Sequence, residues 1–380
     1  MHYVDHAATT PMREAAKQTW LKYADELNPG GLYASGRRAR AALTTAREKV
    51  AAALGCDPIE VIFTGSGTEA DNLAVRGLYT RAAGTVGAGL QVITTPIEHP
   101  AVRETIRSLP GASIAELPIA AHGHIDLTAP TSGVLDTPAA LAAVMWANNE
   151  TGAIQPVEDI IARASAVGTP VHLDAVQVAG HLPMDFHRLG ATSLAASAHK
   201  FGGPRGVGIL LLTRSAPLQP TLTGGGQERG VRSGTPDVAG AMAAAVALEE
   251  AVGEMDRETA RLTALTTRLR EGLTARIEDM VLHTHTPHLP GHLFVSFPGA
   301  EADSLIMLFD AAGIEVAAGS ACSSGVTRAS YVLEAMGVNT QTARGAVRFT
   351  LGRTSTSAEI DAILNAAPSV VATARAAGMA

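Results

Sequence analysis

Short apolar runs alternate along the chain with longer segments whose apolar residues recur at helical spacing. The runs predict buried strands at 61–64, 91–95, 143–147, 171–174, 193–197 and 207–212. The segments between them predict helices over 68–81, 100–109 and 157–166. Strands that alternate with helices indicate crossover units and a largely parallel sheet, whose strands are covered on both faces.

A long alanine-rich segment at 236–277 predicts one continuous helix or two helices in series. The pattern then changes to an alternating strand at 292–297, a helix over 301–312, a strand at 347–351 and a helix over 357–375. We therefore predict a large α/β domain that ends near residue 255, followed by a smaller α+β domain.

Composition excludes several classes of protein. Of 380 residues, 46% are apolar and 17% charged, so the chain can bury a sizeable core and is not disordered. Its two cysteines, Cys56 and Cys322, are too few for a disulfide scaffold. A net charge of −7 gives no electrostatic footprint for nucleic acid. Because the N-terminus is polar and no apolar run reaches the roughly 18 residues of a membrane span, we expect a cytoplasmic protein.

A lysine and a carboxylate follow two of the predicted strands. Lys200 comes just after the strand at 193–197 and before two glycines, and Asp174 ends the strand at 171–174. Open α/β sheets bind ligands at the carboxyl ends of their strands. A lone lysine is usually a surface residue, but a Schiff-base lysine together with an acid for a pyridinium nitrogen is what pyridoxal phosphate requires.

A glycine-rich turn at 64–70 leads from a predicted strand into a helix. Backbone N–H groups at that helix start, with the hydroxyl of Thr68, form an anion site suited to phosphate. Simple capping by Glu69 and Asp71 is the alternative interpretation. The glycine spacing also matches half of a dinucleotide fingerprint, but no ribose-binding acid follows it.

The chain resembles cysteine desulfurases of the NifS/IscS type, in the class-V aminotransferase group of pyridoxal-phosphate enzymes. The resemblance extends from Tyr3 almost to the C-terminus, and it rests on these motifs: YVDHAATTP, FTGSGTEADNLAV, Glu98-His99, WANNETG, HLDAVQ, SAHKFGGPRGVG, GGGQERGVRSGTPDV, AAGSACSS and VRFTLGR. It implies the type I fold of pyridoxal-phosphate-dependent transferases, with a mainly parallel seven-stranded sheet in a large domain over 12–255. Residues 256–380, with the N-terminal segment 1–11, would form the small α+β domain.

The resemblance also implies how the cofactor is bound. Lys200 would hold pyridoxal phosphate covalently, Asp174 would pair with the pyridine nitrogen and Gln177 with the ring hydroxyl. His99 would stack on the ring and act as an acid or base. The residues implied to hold the phosphate are Gly67, Thr68, Ser197 and His199.

Further implied roles concern the substrate and a second subunit. Asn149, which also borders the cofactor, and Arg348 would take the substrate carboxylate, for which a planar guanidinium is well shaped. Thr235 would reach the phosphate of the partner subunit, which implies a homodimer.

Cys322 distinguishes a desulfurase from a plain aminotransferase, which has no use for a nucleophile in this run of small residues. The resemblance implies that its thiolate takes sulfur from L-cysteine, leaving a persulfide and releasing L-alanine. An acceptor then receives the sulfur; an iron–sulfur scaffold protein, transfer-RNA thiolation and DNA sulfur modification all stay open. Cys56 matches no family motif and is interpreted as a structural cysteine.

Two other functions stay open at this point. One is a selenocysteine lyase or another class-V enzyme, and the other is a non-enzymatic nucleotide-binding module built on the 65–67 turn. Tyr33 and Ala198 depart from the residues common in the family, which leaves details of specificity open. For the histidines of the 283–292 segment we favour a polar loop over a metal site, and we predict no metal.

Overall fold

The structure is a computed structural model, and it describes residues 1–86, 90–319 and 329–378. The strands in these ranges are β1 His2–Tyr3, β2 Val61–Thr64, β3 Gln91–Thr94, β4 Ser113–Glu116, β5 Leu141–Met145, β6 Val171–Asp174, β7 Ser193–Ser197, β8 Gly208–Leu212, β9 Val281–Leu282, β10 His292–Ser296, β11 Ile314–Glu315 and β12 Ala346–Thr350. The helices are α1 Glu14–Tyr23, α2 Ala34–Leu54, α3 Gly67–Val86, α4 Pro100–Arg107, α5 Val157–Ala166, α6 Phe186–Leu189, α7 Val238–Arg276, α8 Ala302–Ala311, α9 Tyr331–Ala335, α10 Thr340–Arg344 and α11 Ser357–Gly378.

A seven-stranded sheet in the order β2-β8-β7-β6-β5-β3-β4 forms the centre of the larger unit. Six of its strands run in the same direction and β8 alone runs in the opposite one, which confirms the prediction of a mainly parallel sheet. The inner strands are buried along their whole length because helices cover both faces. The carboxyl ends of β6 and β7 lie side by side, at the edge where the candidate site forms.

A second, three-stranded sheet in the order β12-β10-β9 belongs to the smaller unit. Its strands are antiparallel, and β10 is central. The N-terminal segment joins this unit because β1 pairs with β11 and Asp5 bridges to Thr350. Ala7 and Ala8 of this segment accept hydrogen bonds from Lys200 Nζ, so the segment connects the small sheet to the end of β7.

Helix α7 contributes to the cores of both units. It is 39 residues long, about 58 Å, and begins where the Asp237 side chain accepts a hydrogen bond from Gly240 N at 2.8 Å. Leu248 packs in the core of the large sheet, and Leu269 packs in the core with β10, β12 and α11. The predicted boundary at 255/256 falls inside this helix, and the division into two domains stays a prediction.

The structure differs from the sequence-based expectations in several elements. β5 begins and ends two residues earlier than predicted. The apolar residues Trp146 and Ala147, which were included in the predicted strand, come after its end. For the long helix α2 the sequence indicated only a helical pattern ending near Leu54, without a start, since half of its buried residues are alanines, such as Ala39 and Ala46, that contrast weakly with polar positions. In the described ranges, no helix is both long and apolar enough to cross a membrane.

Candidate active site

The candidate site lies at the carboxyl ends of β6 and β7, beside the N-terminal segment. Asp174 is the last residue of β6, and Lys200 follows β7 after a single helical turn. Lys200 Nζ donates hydrogen bonds to the backbone oxygens of Ala7 at 2.5 Å and Ala8 at 3.0 Å. The predicted lysine and carboxylate therefore share one edge of the sheet, as the strand topology requires.

The ammonium group of Lys200 loses its proton more easily than that of an ordinary lysine. Burial lowers its pKa to about 8, and the positive charge of Arg348 acts in the same direction. The carboxylates of Asp174 and Asp5 oppose this shift without cancelling it. Because a lysine must be unprotonated to act as a nucleophile or base, the lowered pKa makes Lys200 suited to both roles.

Asp174 and His99 share the buried part of the site. Asp174 Oδ1 accepts a hydrogen bond from Val176 N at 3.0 Å, and burial raises the pKa of this carboxyl group. His99 is the N-cap of α4, where its Nδ1 accepts a hydrogen bond from Ala101 N at 3.1 Å. Burial also lowers the pKa of His99, so its ring is mainly neutral at pH 7, with the proton on Nε2.

The glycine-rich turn places the start of α3 against the end of β7. A side chain at Gly67 would lie 3.1 Å from Ser197 Cβ and 2.8 Å from Val176 Cγ2, so only glycine leaves room there. Thr68 follows at the exposed rim of the same turn. Glu69 Oε2 accepts from Gly65 N at 2.8 Å and Ser66 Oγ accepts from Glu69 N at 3.0 Å, so side chains of the turn satisfy two of its N–H groups. Because the first N–H groups of a helix lack partners within it, the others at this helix start suit an anion such as phosphate.

The N-terminal segment also contacts two other predicted site residues. Gln177 Nε2 donates to Ala7 O at 3.0 Å, and this oxygen also accepts from Lys200. His199 Nδ1 lies 3.1 Å from Thr9 Oγ1, and burial lowers the pKa of His199 to about 4. The structure therefore places Gln177 and His199 around the lysine.

Arg348 and Asn149 meet beside the lysine, and each has an unused polar atom. Arg348 Nη1 donates to Asn149 O at 2.7 Å, and Nη2 donates to Asp5 Oδ1 at 2.6 Å. Arg348 Nε and Asn149 Oδ1 are buried, and neither has a hydrogen-bond partner among the described residues. Leaving such a group unsatisfied costs about 1–3 kcal/mol, so both atoms indicate a ligand site.

These residues fit a phosphate-bearing aromatic aldehyde. The helix start at Gly67 suits an anion, while Asp174 provides a buried carboxylate and Lys200 an amine with a lowered pKa. Asn149 Oδ1 leaves a hydrogen-bonding position open beside them. Pyridoxal phosphate has a matching phosphate, ring nitrogen and aldehyde.

The structure describes two of the three remaining residues of interest, Cys56 and Thr235. Cys56 is half-buried, and burial, with the charges of Glu60 and Asp57, raises the pKa of its thiol to about 12, which makes it a poor nucleophile. Cys322 lies outside the described residues. Thr235 is exposed in the loop before α7, and its contact with a partner subunit stays a prediction.

Several buried polar residues at the site were not assigned from the sequence. Glu98 accepts hydrogen bonds from Thr95 Oγ1 at 2.6 Å and Met145 N at 3.0 Å, and burial raises its pKa to about 8. Burial likewise raises the pKa of Glu150 to about 7. Both glutamates stand in the quoted motifs, but a motif alone does not reveal that a carboxylate is buried.

Asp71 does not act as a simple helix cap. It is buried, and its Oδ1 lies 3.1 Å from His172 Nε2 on β6. His172 Nδ1 lies 2.9 Å from Ser193 Oγ on β7. This chain of contacts joins α3 to the two strands that lead to Asp174 and Lys200.

The histidines of the 283–292 segment do not all lie in a polar loop, which corrects that prediction. His292 is the first residue of β10 and is buried, and His283 Nε2 lies 2.7 Å from Ser296 Oγ. β10 begins at His292, as the alternating pattern predicted, and His283 directly follows β9, so both side chains are buried beside the small sheet. In the described part of the chain, the His, Asp and Glu group with metal-ligand spacing is elsewhere, formed by Asp57, Glu60 and His187.

Comparison with known proteins places this site in a family. A family model described as aminotransferase class-V matches residues 2–363. The chain belongs to this family. It is also 45% identical, over 387 aligned residues, to an IscS-like cysteine desulfurase of Mycobacterium tuberculosis, in an alignment that covers 100% of this chain and 98% of that protein.

Solved structures of class-V relatives share the fold. A NifS-like protein superimposes with a TM-score of 0.88 at 34% identity, covering 98% of this chain and 99% of the other. A structure described as SspA in complex with cysteine superimposes with a TM-score of 0.79 at 29% identity, covering 92% and 99%. The predicted family and fold class are thereby confirmed.

Proposed function

We propose that this protein is a pyridoxal-phosphate-dependent cysteine desulfurase, which takes sulfur from L-cysteine and releases L-alanine. The observation that carries the proposal is the meeting of Lys200, Asp174 and His99 with an arginine whose Nε is buried and unpartnered among the described residues. Similarity to an IscS-like cysteine desulfurase, and to a protein solved in complex with cysteine, supports the reaction and the substrate.

The residues that would hold the cofactor surround Lys200. Lys200 would bind its aldehyde, Asp174 would keep a proton on the ring nitrogen, and Gln177 would contact the ring hydroxyl. Gly67, Thr68, Ser197 and His199 would hold its phosphate, His99 would stack on its ring, and Asn149 would border it. When bound, pyridoxal phosphate withdraws electrons from the substrate Cα, which makes the Cα proton removable.

The chain's own residues would then bind and deprotonate the substrate. Arg348 would hold the substrate carboxylate through Nε, while Asp5 and Asn149 keep the guanidinium oriented. Once released by the substrate amine, Lys200 Nζ would be close enough to neutral to remove the Cα proton. His99 Nε2 would exchange a proton with the substrate.

Sulfur transfer would use Cys322. Its thiolate would attack the substrate sulfur, so that a new S–S bond forms as the C–S bond breaks. The electron pair of the C–S bond would stay on the substrate carbon, which takes up a proton. The substrate would then leave as L-alanine, and the thiol of Cys322 would be oxidised to a persulfide. No external oxidant is needed, because the substrate carbon is reduced in the same step.

The finer features of this proposal come from the family resemblance. They are a homodimer in which Thr235 reaches the phosphate of the partner subunit, a cytoplasmic location, and transfer of sulfur to an acceptor such as an iron–sulfur scaffold. We also propose the two-domain division at 12–255 and 256–380. A nucleotide-binding module would leave the half-buried Lys200 and the buried Asp174 without a role.

The test is a single turnover with L-cysteine. Protein loaded with pyridoxal phosphate is expected to give one L-alanine and one protein persulfide per site, both measured by mass spectrometry. Cys322→Ser is expected to keep the yellow colour of the bound cofactor but to form no persulfide, whereas Cys56→Ser, the matched control, keeps both. Absence of alanine from the wild-type protein, or undiminished persulfide in Cys322→Ser, would refute the proposal.

A further inference from the structure

A cavity of about 70 Å³ lies between the large and the small unit, with Lys200 in its wall. The N-terminal segment, the turn after β6, helix α7, the start of β10 and the end of β12 all contribute to this wall. Three of its residues are the histidines His6, His181 and His292. The wall also includes the exposed Arg353, so the cavity reaches the protein surface.

His292 has a polar atom that no group in the described chain satisfies. The residue is 7% exposed, and its Nε2 is buried without a hydrogen-bond partner among the described residues. A side chain at Gly152 would lie 2.6 Å from His292 Cβ and 2.9 Å from Cγ, so the backbone there packs directly against the histidine. Because an unsatisfied buried group costs about 1–3 kcal/mol, His292 Nε2 indicates an occupant of the cavity that can form a hydrogen bond.

Water is the occupant that the size and chemistry of the cavity favour. A water molecule needs about 10–15 Å³ of such space and two to four polar partners. The cavity of about 70 Å³ has room for several, and the imidazoles of its wall, with the half-buried hydroxyl of Thr259, offer the partners. Buried water commonly satisfies polar groups that lack a partner in the protein.

Two other histidines of the wall are neutral at pH 7. Burial lowers the pKa of His6 to about 4, and it also lowers the pKa of His181. His6 Nδ1 lies 2.7 Å from Thr10 Oγ1, and His181 Nε2 donates to the backbone oxygen of Lys200 at 3.1 Å. A neutral imidazole has one donating and one accepting nitrogen, so it can accept a proton on one side and release one on the other.

Lys200 connects the cavity to the reacting centre. Ala7 shares the wall with it, and the backbone oxygen of Ala7 accepts a hydrogen bond from Lys200 Nζ at 2.5 Å. Gln177, also in the wall, donates to the same oxygen at 3.0 Å. The amine proposed to remove the substrate Cα proton therefore belongs to a residue that borders the cavity.

We propose that this cavity holds ordered water that exchanges the proton of Lys200 with bulk solvent, and that His292 Nε2 is a fixed hydrogen-bond partner of this water. The inference rests on the proposed desulfurase function, in which Lys200 takes up the substrate Cα proton. In the exchange, one proton leaves Lys200 Nζ for water and a proton from water takes its place. No net charge is created, and no covalent bond other than N–H and O–H changes.

The experiment follows a deuterium label through a single turnover. L-Cysteine deuterated at Cα is converted by the cofactor-loaded protein in ordinary water, and the deuterium at Cα of the L-alanine product is measured by NMR. An ammonium group that did not exchange would return deuterium in about one transfer of three, because it holds three hydrogens. We expect the wild-type product to retain under about 5% of the label, and the His292→Leu product about 10–30%, because the water loses its fixed partner.

A second variant and a matched control keep the test sharp. Ala251→Leu fills the cavity from α7 and leaves every polar group in place, so it is expected to raise the retained deuterium as His292→Leu does, and it carries the test if His292→Leu does not fold. His283→Leu changes a buried histidine beside the same small sheet that is not part of the cavity wall. This control is expected to retain as little deuterium as the wild type.

A readout independent of turnover is the crystal structure of the cofactor-loaded protein. We expect an ordered water within about 3.2 Å of His292 Nε2 in the wild type, and its loss in Ala251→Leu.

The outcomes separate the inference from the function. A wild-type protein that forms no alanine contradicts the desulfurase function itself. An active wild type without ordered water at His292 Nε2, or with the same retained deuterium as Ala251→Leu and His292→Leu, overturns the inference alone. An equal rise in His283→Leu also overturns it, because looser packing of the small sheet would then explain the change.

Discussion

The lowered pKa of Lys200 can be measured without cofactor or substrate. In cofactor-free protein, acylation of each lysine by acetic anhydride follows the fraction of its amine that is neutral. We expect the labelling of Lys200 to rise about tenfold per pH unit below pH 7 and to level off above about pH 9, with a midpoint near pH 8. Quantifying the Lys200 peptide by mass spectrometry against the exposed Lys22 gives the titration curve.

The size of the effect follows from the two pKa values. A lysine with the ordinary pKa of 10.5 is neutral at pH 7 in about one molecule in 3,000, whereas a pKa of about 8 makes about one in ten neutral. The site therefore raises the reactive fraction about 300-fold at pH 7. Limited access of the reagent lowers the labelling rate at every pH but does not move the midpoint.

Two variants test the physical cause of the shift in opposite directions. Arg348→Gln removes a positive charge that lowers the pKa of Lys200, so its midpoint is expected above that of the wild type. Asp174→Asn removes a negative charge that raises this pKa, so its midpoint is expected below. Wild-type labelling that keeps rising tenfold per unit through pH 10, or an Arg348→Gln midpoint that does not rise, would contradict the reasoning.

Three further predictions concern the surroundings of the site. Gly67→Ala forces a methyl group against Val176 and Ser197, and is expected to weaken cofactor binding about tenfold in an absorbance titration; Gly84→Ala, in open space on the same helix, is expected to leave it unchanged. Glu228→Gln breaks a buried pair with Arg47 and is expected to cost about 3–5 kcal/mol in urea unfolding, whereas Glu249→Gln, at an exposed pair with Lys49, costs under about 1 kcal/mol. The pKa of Glu98 is raised to about 8, so its contribution to the stability of the folded protein is present below pH 4.5 and is lost as the pH rises through 8. Between pH 5 and 9, Glu98→Gln is therefore expected to lose less stability than the wild type. Parallel profiles of stability against pH for the two proteins would refute this.

The sequence predicts those parts of the fold whose signal is local. β2, β6 and β7 have the predicted bounds, because each is a short, largely apolar run that is buried along its whole length. β4 was missed, since it lies at the sheet edge with mostly exposed residues and has no such run. Lys200 and Asp174 were found by the same local logic, because each lies at or just after the carboxyl end of a strand that could be predicted.

The buried carboxyl groups required the structure, since their partners are remote in sequence. Glu150 pairs with Ser330, and Asp71 lies against His172, across separations that no spacing rule connects. Asp71 illustrates the difficulty: its position in the first turns of α3 favours a capping role, yet the helix turns it toward the sheet. Neighbouring sequence therefore indicates which residue types are available, and packing decides which of them titrate abnormally.

The pairing of Arg348 with Asp5 bears on how the site binds an anionic substrate. An arginine this deeply buried would pay a large desolvation cost if it had no carboxylate partner, and Asp5 offsets that cost in the ligand-free protein. Two of its nitrogens are already committed to Asn149 O and Asp5, so the guanidinium is oriented before a ligand arrives. Its Nε is buried and unpartnered within the described chain, so the substrate carboxylate proposed to bind here would gain a hydrogen bond without displacing Asp5. The nearby negative charge of Asp5 would oppose the binding of a second carboxylate, so Asp5→Asn is a variant in which the proposed substrate would bind more tightly if Arg348 keeps its orientation.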